Sequence, residues 1–309
     1  MNIQQESRKV YIHRINRVAD YLEANLEEDH SLQTLADVAH FSPYHFHRIF
    51  KALTGETVNH YVKRIRLQKA GSMLLSDHSR SVEEVALLCG FNSTPVFCRA
   101  FRDHFGQNTG EFRKFHLDQK SKNYQLERKK DQSPAEGFLY LSDEMLNQKS
   151  EVEMEAKIEV KDMPGMDLVY CRHIGPFDQI GGAFEKLMRW AGPRGLLGPE
   201  TKTVTVYHDD PKVVDPDKVK QSACITVKDE VKTEGEFGLM HVPGGKYVVG
   251  SFVITPDKFG EAWDAVCRWM ADSGYQPSDG YTYEYYPKEH EEGPPPVFTV
   301  DICVPVKPL

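Results

Sequence analysis

The sequence predicts a multidomain protein: an all-α domain of two helix-turn-helix motifs, followed by an α+β domain of two β-α-β-β repeats around a ligand cleft. Three observations predict it. A helical pattern near the N-terminus recurs about fifty residues later. Residues 163–228 align with 242–307 at a shift of 79 residues, with 15 identities and no gap, which points to a duplicated structural unit. Charge also divides the chain. Residues 1–116 hold 15 Lys+Arg against 13 Asp+Glu, whereas residues 134–309 hold 18 against 30, within a total of −8. The acidity therefore sits in the C-terminal half. The N-terminal half keeps the locally basic balance that a nucleic-acid contact needs.

Composition narrows the class. A chain of 309 residues exceeds one typical core, and 40% hydrophobic with 27% charged residues is globular. No apolar run reaches membrane-spanning length, and Met1 to Val10 lacks the apolar core of a signal peptide. The six cysteines form no CxxC and no Cys/His cluster, so they read as reduced thiols of a cytoplasmic protein. No metal, cofactor or membrane contact is expected.

The elements follow in order. Arg8 to Leu26 places Ile12, Ile15, Val18, Ala19 and Leu22 on one helical face. Ser31 caps a helix from Leu32 to His40, whose Leu32, Leu35, Ala36 and Ala39 point inward. Phe41-Ser42-Pro43 turns into the next helix, with Ser42 as cap and Pro43 where a missing N–H costs nothing. Phe46, Ile49 and Phe50 form its inner stripe. Tyr44, His47, Arg48 and Lys51 are left outside, where they could reach base edges or phosphates. Gly55 closes the motif.

Ser31–Phe41 then recurs as Ser81–Phe91, and Phe46, Arg48, Phe50, Lys51 and Gly55 recur as Phe97, Arg99, Phe101, Arg102 and Gly106. Ser81 with Glu84 has capping-box spacing, and Ser93 stands where a cap for the second reading helix would be. Glu56 to Leu75 reads as a connecting helix roughly 30 Å long, enough to set two reading helices about one DNA turn apart, ~34 Å. The reading requires Arg48 and Arg99 to be open to solvent.

Residues 8–116 resemble the AraC/XylS family of bacterial transcription regulators. The resemblance rests on Leu35-Ala36, Ser42 to Lys51, Gly55, Tyr61, Arg64 to Leu67, Val85-Ala86, Gly90-Phe91 and Phe97 to Gly106, in order and at the family's distances. It implies a seven-helix domain that binds double-stranded promoter DNA, with RNA polymerase as a further partner. By position it implies base reading by Tyr44, His47 and Arg48, and by Thr94, Val96 and Arg99. Lys51 and Arg102 fall to phosphates. Two features depart from the family: Gln107-Asn108-Thr109-Gly110 stands where Ser-Pro often follows Phe-Gly, and Pro95 replaces an often polar residue. The DNA-binding domain is placed at 1–116, and 117–136 reads as a polar linker.

Residues 137–309 form the second domain. Each repeat reads as a strand after a Pro-Gly turn (166–174; 246–254), a helix (177–191; 256–272) and two strands (203–208 and 222–228; 281–286 and 297–305). Further strands are expected around 137–142 and 152–161. In the strand 281–286, alternation puts Thr282, Glu284 and Tyr286 on one face and Tyr281, Tyr283 and Tyr285 on the other. Glu284 falls over Thr205 of the first repeat, so one carboxylate breaks the duplication near its expected centre. A carboxylate with aromatic walls suits a cationic or amphipathic aromatic ligand.

This half resembles the GyrI-like effector-binding domains, through His173-Ile-Gly-Pro-Phe177, Tyr207 with Asp209-Asp-Pro211, Pro243-Gly-Gly-Lys-Tyr247 and Glu284-Tyr-Tyr286. The resemblance implies a small-molecule effector in a cleft between the repeats, centred on Glu284, with Tyr286, Tyr170, Tyr207, Trp190 and Trp269 as further ligand candidates. The resulting expectation is a one-component regulator that senses a ligand, is not an enzyme, has no catalytic residues, and acts as a monomer or weak dimer. Two alternatives stand beside it: a DNA-binding activator whose second domain docks a protein, and a GyrI-like domain with hydrolase activity. No Ser/His/Asp set and no phosphate-binding Gly loop supports the last.

Overall fold

The computed structural model describes residues 3–77, 79–114, 156–208, 218–288 and 293–309. The polar linker, the strand expected at 137–142 and Asp209 to Pro211 lie outside the described residues. Six helices open the chain: α1 (Ile3–Ala24), α2 (Leu32–Val38), α3 (Pro43–Thr54), α4 (Val58–Ser76), α5 (Val82–Leu88) and α6 (Thr94–Phe105); residues 109–114 are helical as well.

The described residues fall into two compact units, and the division does not follow the chain. One unit holds His13–His40 and Glu56–Leu141. The other joins Met1–Ile12 and Phe41–Gly55 to Ser142–Leu309. The helix α3, expected as part of the N-terminal domain, therefore belongs to the same unit as the C-terminal sheet.

In the helical unit, Leu67, Ala70 and Leu74 of α4, Val85 and Ala86 of α5, and Phe97, Ala100 and Phe101 of α6 close one core with Cys89, Phe91 and Phe112. The apolar positions of the second motif, Val85, Ala86, Phe91, Phe97 and Phe101, are its members. Ser81 and Glu84 form the expected capping box on α5. Ser93 makes no side-chain cap bond to α6, contrary to expectation. Pro95 at the second helical position supplies no N–H, which removes one of the two donors a cap accepts from. Arg66 ties the turns together by donating to the backbone carbonyls of Leu26, Glu28 and Gly90. Gly90 has φ +74°, and a Cβ there would lie 2.7 Å from both the Arg66 guanidinium and the Leu26 carbonyl. Only glycine fits that corner.

The second unit is built on antiparallel strands β1 (Lys157–Met163), β2 (Met166–Ile174), β3 (Thr203–Tyr207), β4 (Lys220–Val227), β5 (Phe237–Val242), β6 (Gly245–Ile254), β7 (Tyr275–Pro277), β8 (Thr282–Tyr286) and β9 (Phe298–Pro308). Their order is β1-β6-β9-β8-β3-β4-β2-β5, with β7 added to β9. The order is symmetric about the β8–β3 pair. There Glu284 and Thr205, the residues the 79-residue shift superposes, stand directly opposite each other. The pseudo-twofold axis thus passes beside Glu284. The two Pro-Gly turns also meet: a Cβ on Gly244 would lie 2.7 Å from the Gly165 nitrogen.

Helices α7 (Gly181–Ala191) and α8 (Phe259–Asp272) each follow a short 3-10 turn, so the helices expected from 177 and 256 begin later. Strands β5 and β7 were not anticipated. β5 is an edge strand with Gly238 inside it, and its signal is weak. Helix α8 packs with Val248, Phe252, Val300, Ile302 and Tyr207. The other sheet face gathers Leu168, Val204, Val206, Tyr247, Tyr283 and Cys303.

Candidate functional site

Glu284 sits at the sheet centre, between Thr205 on β3 and Ile302 on β9, with its side chain toward α8. It is fully buried. The Trp263 indole N–H donates to one carboxylate oxygen at 2.7 Å, and the Tyr286 hydroxyl donates to the other at 2.7 Å. Burial pushes the Glu284 carboxyl above its ordinary range; hydrogen bonds from Tyr286, Trp263 and Tyr207 and the charge of Arg48 pull the other way without overcoming it. Tyr207 and Tyr286 are raised well above the usual phenol range, by burial first and then by the Glu284 charge. Both therefore keep their protons.

Aromatic walls enclose the carboxylate. Tyr207 meets Trp263 edge-on at 5.5 Å, and Phe177 stacks on Tyr207 at 5.8 Å. The turn that delivers Phe177 needs Gly175 at φ +140° and is held by a 2.9 Å contact between His173 Nε2 and the Pro176 carbonyl. Into this box comes the Arg48 side chain of α3. Its Cζ lies 3.9 Å from the Trp263 ring centre, 5.1 Å from that of Tyr44 and 5.6 Å from that of Tyr207.

The outer face of α3 is thus not open, which corrects the sequence reading. His47 is 4% exposed and Arg48 7% exposed. Helix α3 packs on α8, Lys51 Nζ lies 3.0 Å from Asp264 Oδ2, and Tyr44 packs against the α8 core. His45 sits 3.4 Å from the Thr282 hydroxyl through Nε2, while its Nδ1 meets Ser42 Oγ at 2.8 Å. The pattern that marks a reading face on a helix does not say what covers that face.

The second reading helix fits the expectation better. On α6, Arg99 and Arg102 are exposed, Val96 is 48% exposed and Thr94 is half-buried, while Phe97, Ala100 and Phe101 face inward. Spacing of three residues puts Val96, Arg99 and Arg102 along one side.

Of the expected ligand residues, the structure brings together Glu284, Tyr286 and Tyr207. It does not bring Tyr170 or Trp190 to them. Tyr170 shares its sheet face with Leu168, away from α8, and lies over Gly238, where a Cβ would come within 2.5 Å of its hydroxyl. Trp190 stacks on Phe237 at 4.7 Å in the core of the first repeat, under Arg194. Trp269 is half-buried against the α8 core, but its position six residues past Trp263 puts it on another side of the helix. Trp263 was missed. It aligns with Phe184 in the first repeat, so the duplication is broken at Trp263 as it is at Glu284. Those two breaks touch in space, and that joint departure was the available signal.

Among the described residues no group of His, Cys, Asp and Glu could hold a metal ion, and no helix is long and apolar enough to cross a membrane.

Comparison with known families divides the chain by sequence and keeps α3 with the helix-turn-helix region. A family described as a GyrI-like small molecule binding domain matches residues 156–307, and one described as a helix-turn-helix domain matches residues 35–114. Over 156 residues the chain is 30% identical to the DNA gyrase inhibitor of Serratia proteamaculans, covering 48% of this chain and 97% of that protein. It is 33% identical over 101 residues to the probable transcription factor PqrA of Proteus vulgaris, covering 32% of this chain and 82% of that protein. It is 31% identical over 99 residues to the bifunctional transcriptional activator/DNA repair enzyme AdaA of Bacillus subtilis; that match covers 32% of this chain and spans 46% of AdaA.

Proposed function

The chain belongs to the AraC-type transcription regulators and carries a GyrI-like small molecule binding domain, and from that premise we propose that Glu284 is the anchor for a planar, cationic aromatic effector. The observation that carries the reading is the Glu284 box itself: a fully buried carboxylate, a Trp263 ring fixed by its bond to that carboxylate, and a guanidinium already 3.9 Å above the ring. Charge pairing and cation–π attraction act together there, and both strengthen out of water. Glu284, Trp263, Tyr207 and Tyr286 hold the ligand.

The DNA readers on α6 are Thr94, Val96 and Arg99, with Arg102 on a phosphate; on α3, Tyr44, His47 and Arg48, with Lys51 on a phosphate, serve only when that helix leaves its buried position. Arg99 suits a guanine edge, and Val96 suits a thymine methyl. Bound to a promoter, the chain acts on RNA polymerase.

The test is titration of the full chain with benzamidinium, an aromatic planar cation, followed by calorimetry. Saturable binding is expected, and Glu284→Gln is expected to weaken it more than about 30-fold, because removing one partner of a buried charge pair costs roughly 2–5 kcal/mol. Equal affinity in the wild type and Glu284→Gln would remove Glu284 from the ligand site.

A further inference from the structure

We propose that Arg48 is the internal ligand of the Glu284 site: α3 docked on the C-terminal domain is a closed state, and an entering amidinium or guanidinium compound displaces Arg48 and frees α3 to read DNA. The inference rests on the reading of Glu284 as the effector anchor and adds what that anchor controls.

Three observations carry it. First, a side chain in the Trp263–Tyr207 box cannot also reach a base. Arg48 is 7% exposed and His47 4% exposed, and both stand at reading positions of the helix. The docked state and the α3-bound DNA state are therefore mutually exclusive. Second, the chemistry of the occupant matches that of the expected ligand. Arg48 presents a flat, delocalised cation over Trp263 at 3.9 Å and over Tyr207 at 5.6 Å, in the field of the Glu284 carboxylate. An external molecule with the same head group meets the same ring faces and the same charge.

Third, the rest of the docking contact can be exchanged. It includes the Lys51–Asp264 pair at 3.0 Å, the His45–Thr282 contact at 3.4 Å and the half-buried Tyr44. The Lys51 and Asp264 side chains are 26% and 19% exposed, so water already reaches the pair. The start of α1 stays attached by other means: Ser7 accepts from the Gly274 N–H at 3.0 Å, Arg8 pairs with Asp272, and Tyr11 donates to the Tyr275 carbonyl at 2.8 Å. Those bonds keep the C-terminal domain close after α3 lets go, so Arg48 competes as a tethered ligand at high effective concentration.

Coupling then has a required sign. The effector favours the state with α3 released, and DNA favours the same state. Each must tighten the other by the same factor.

The experiment uses the full chain and benzamidinium. Calorimetry gives the probe affinity of the wild type, Arg48→Ala, Asp264→Asn and Glu284→Gln. A gel shift on the DNA upstream of its own gene, at one salt concentration, gives the DNA affinity of the wild type and Asp264→Asn. With its tethered competitor removed, Arg48→Ala is expected to bind benzamidinium about 10-fold or more tighter than the wild type. Asp264→Asn, which loosens the docking from outside the box, is expected to bind both probe and DNA a few-fold tighter. Probe affinity in Arg48→Ala equal to or below that of the wild type overturns the proposal. If neither wild type nor Arg48→Ala binds the probe, the effector reading of Glu284 fails by itself and the DNA arm decides. Tighter DNA binding by Asp264→Asn then keeps α3 docking as the closed state, and unchanged binding overturns it.

Discussion

Helices α3 and α6 carry one pattern twice. Each has an apolar stripe of phenylalanines, an arginine between them, a proline in the first turn, and a terminal glycine in the left-handed region, Gly55 at φ 83° and Gly106 at φ 72°. Their inner faces behave alike and close cores. Their outer faces do not. Arg99 on α6 is exposed, whereas Arg48 on α3 lies over Trp263. The difference lies outside the helices, in an acidic aromatic box whose rings face the guanidinium that a guanine edge would otherwise engage. An arginine suited to read DNA is equally suited to plug a site for cations, because both partners attract a flat, delocalised cation.

Substituting the paired arginines is the strongest way to break this comparison. Without effector, Arg99→Ala is expected to weaken promoter binding about 5- to 100-fold, from a base contact worth roughly 1–3 kcal/mol. Arg48→Ala is expected to change it less than about 3-fold, because the docked α3 of the wild type makes no base contact to lose and the loosened α3 of the variant lacks its reading arginine. Equal losses in a gel shift would put the two helices on the same footing. Sharpening comes from the double variant. In a Glu284→Gln background, where the hold on Arg48 is weakened, the cost of Arg48→Ala should rise toward that of Arg99→Ala.

A third prediction concerns pH. Burial raises the Glu284 carboxyl above 4.5, so the folded chain keeps that proton to higher pH than the unfolded chain does. Between 4.5 and the raised value the folded state binds more protons. Its contribution to stability is thus present at low pH and lost as pH rises through that window. Thermal melts should show this loss in the wild type and a flatter profile in Glu284→Gln. Identical profiles would mean that Glu284 titrates as a solvated carboxyl. The smallest effect is at the caps. Ser42 accepts from the His45 N–H, whereas Ser93 makes no cap bond. Ser42→Ala should cost about 1 kcal/mol in denaturant unfolding and Ser93→Ala a few tenths. The reverse order would contradict the cap assignment.

Periodicity makes much of the fold legible in the sequence. The inner stripes, the capping box at Ser81, both β-α-β-β repeats and the equivalence of Glu284 with Thr205 all follow from spacing and self-similarity, whereas the cross-strand pairing of those two residues is seen only in the sheet. What stayed hidden had no periodic signature. Strand β5 carries a glycine and is held by one neighbour, β2. Trp190 and Trp269 recur in register, and that recurrence favours a shared packing role over ligand contact. Trp263 and Glu284 do not recur, and they form the site. The burial of Arg48 was beyond reach because it depends on α8, more than two hundred residues away in the chain.

The central claim is that effector binding adds α3 to the DNA contact that α6 makes without it. A nuclease footprint of the full chain on the DNA upstream of its gene, with and without benzamidinium, measures this directly. The account predicts protection that lengthens by about one helical turn, roughly 10 base pairs, when the cation is present. A footprint of the same length in both conditions would contradict it.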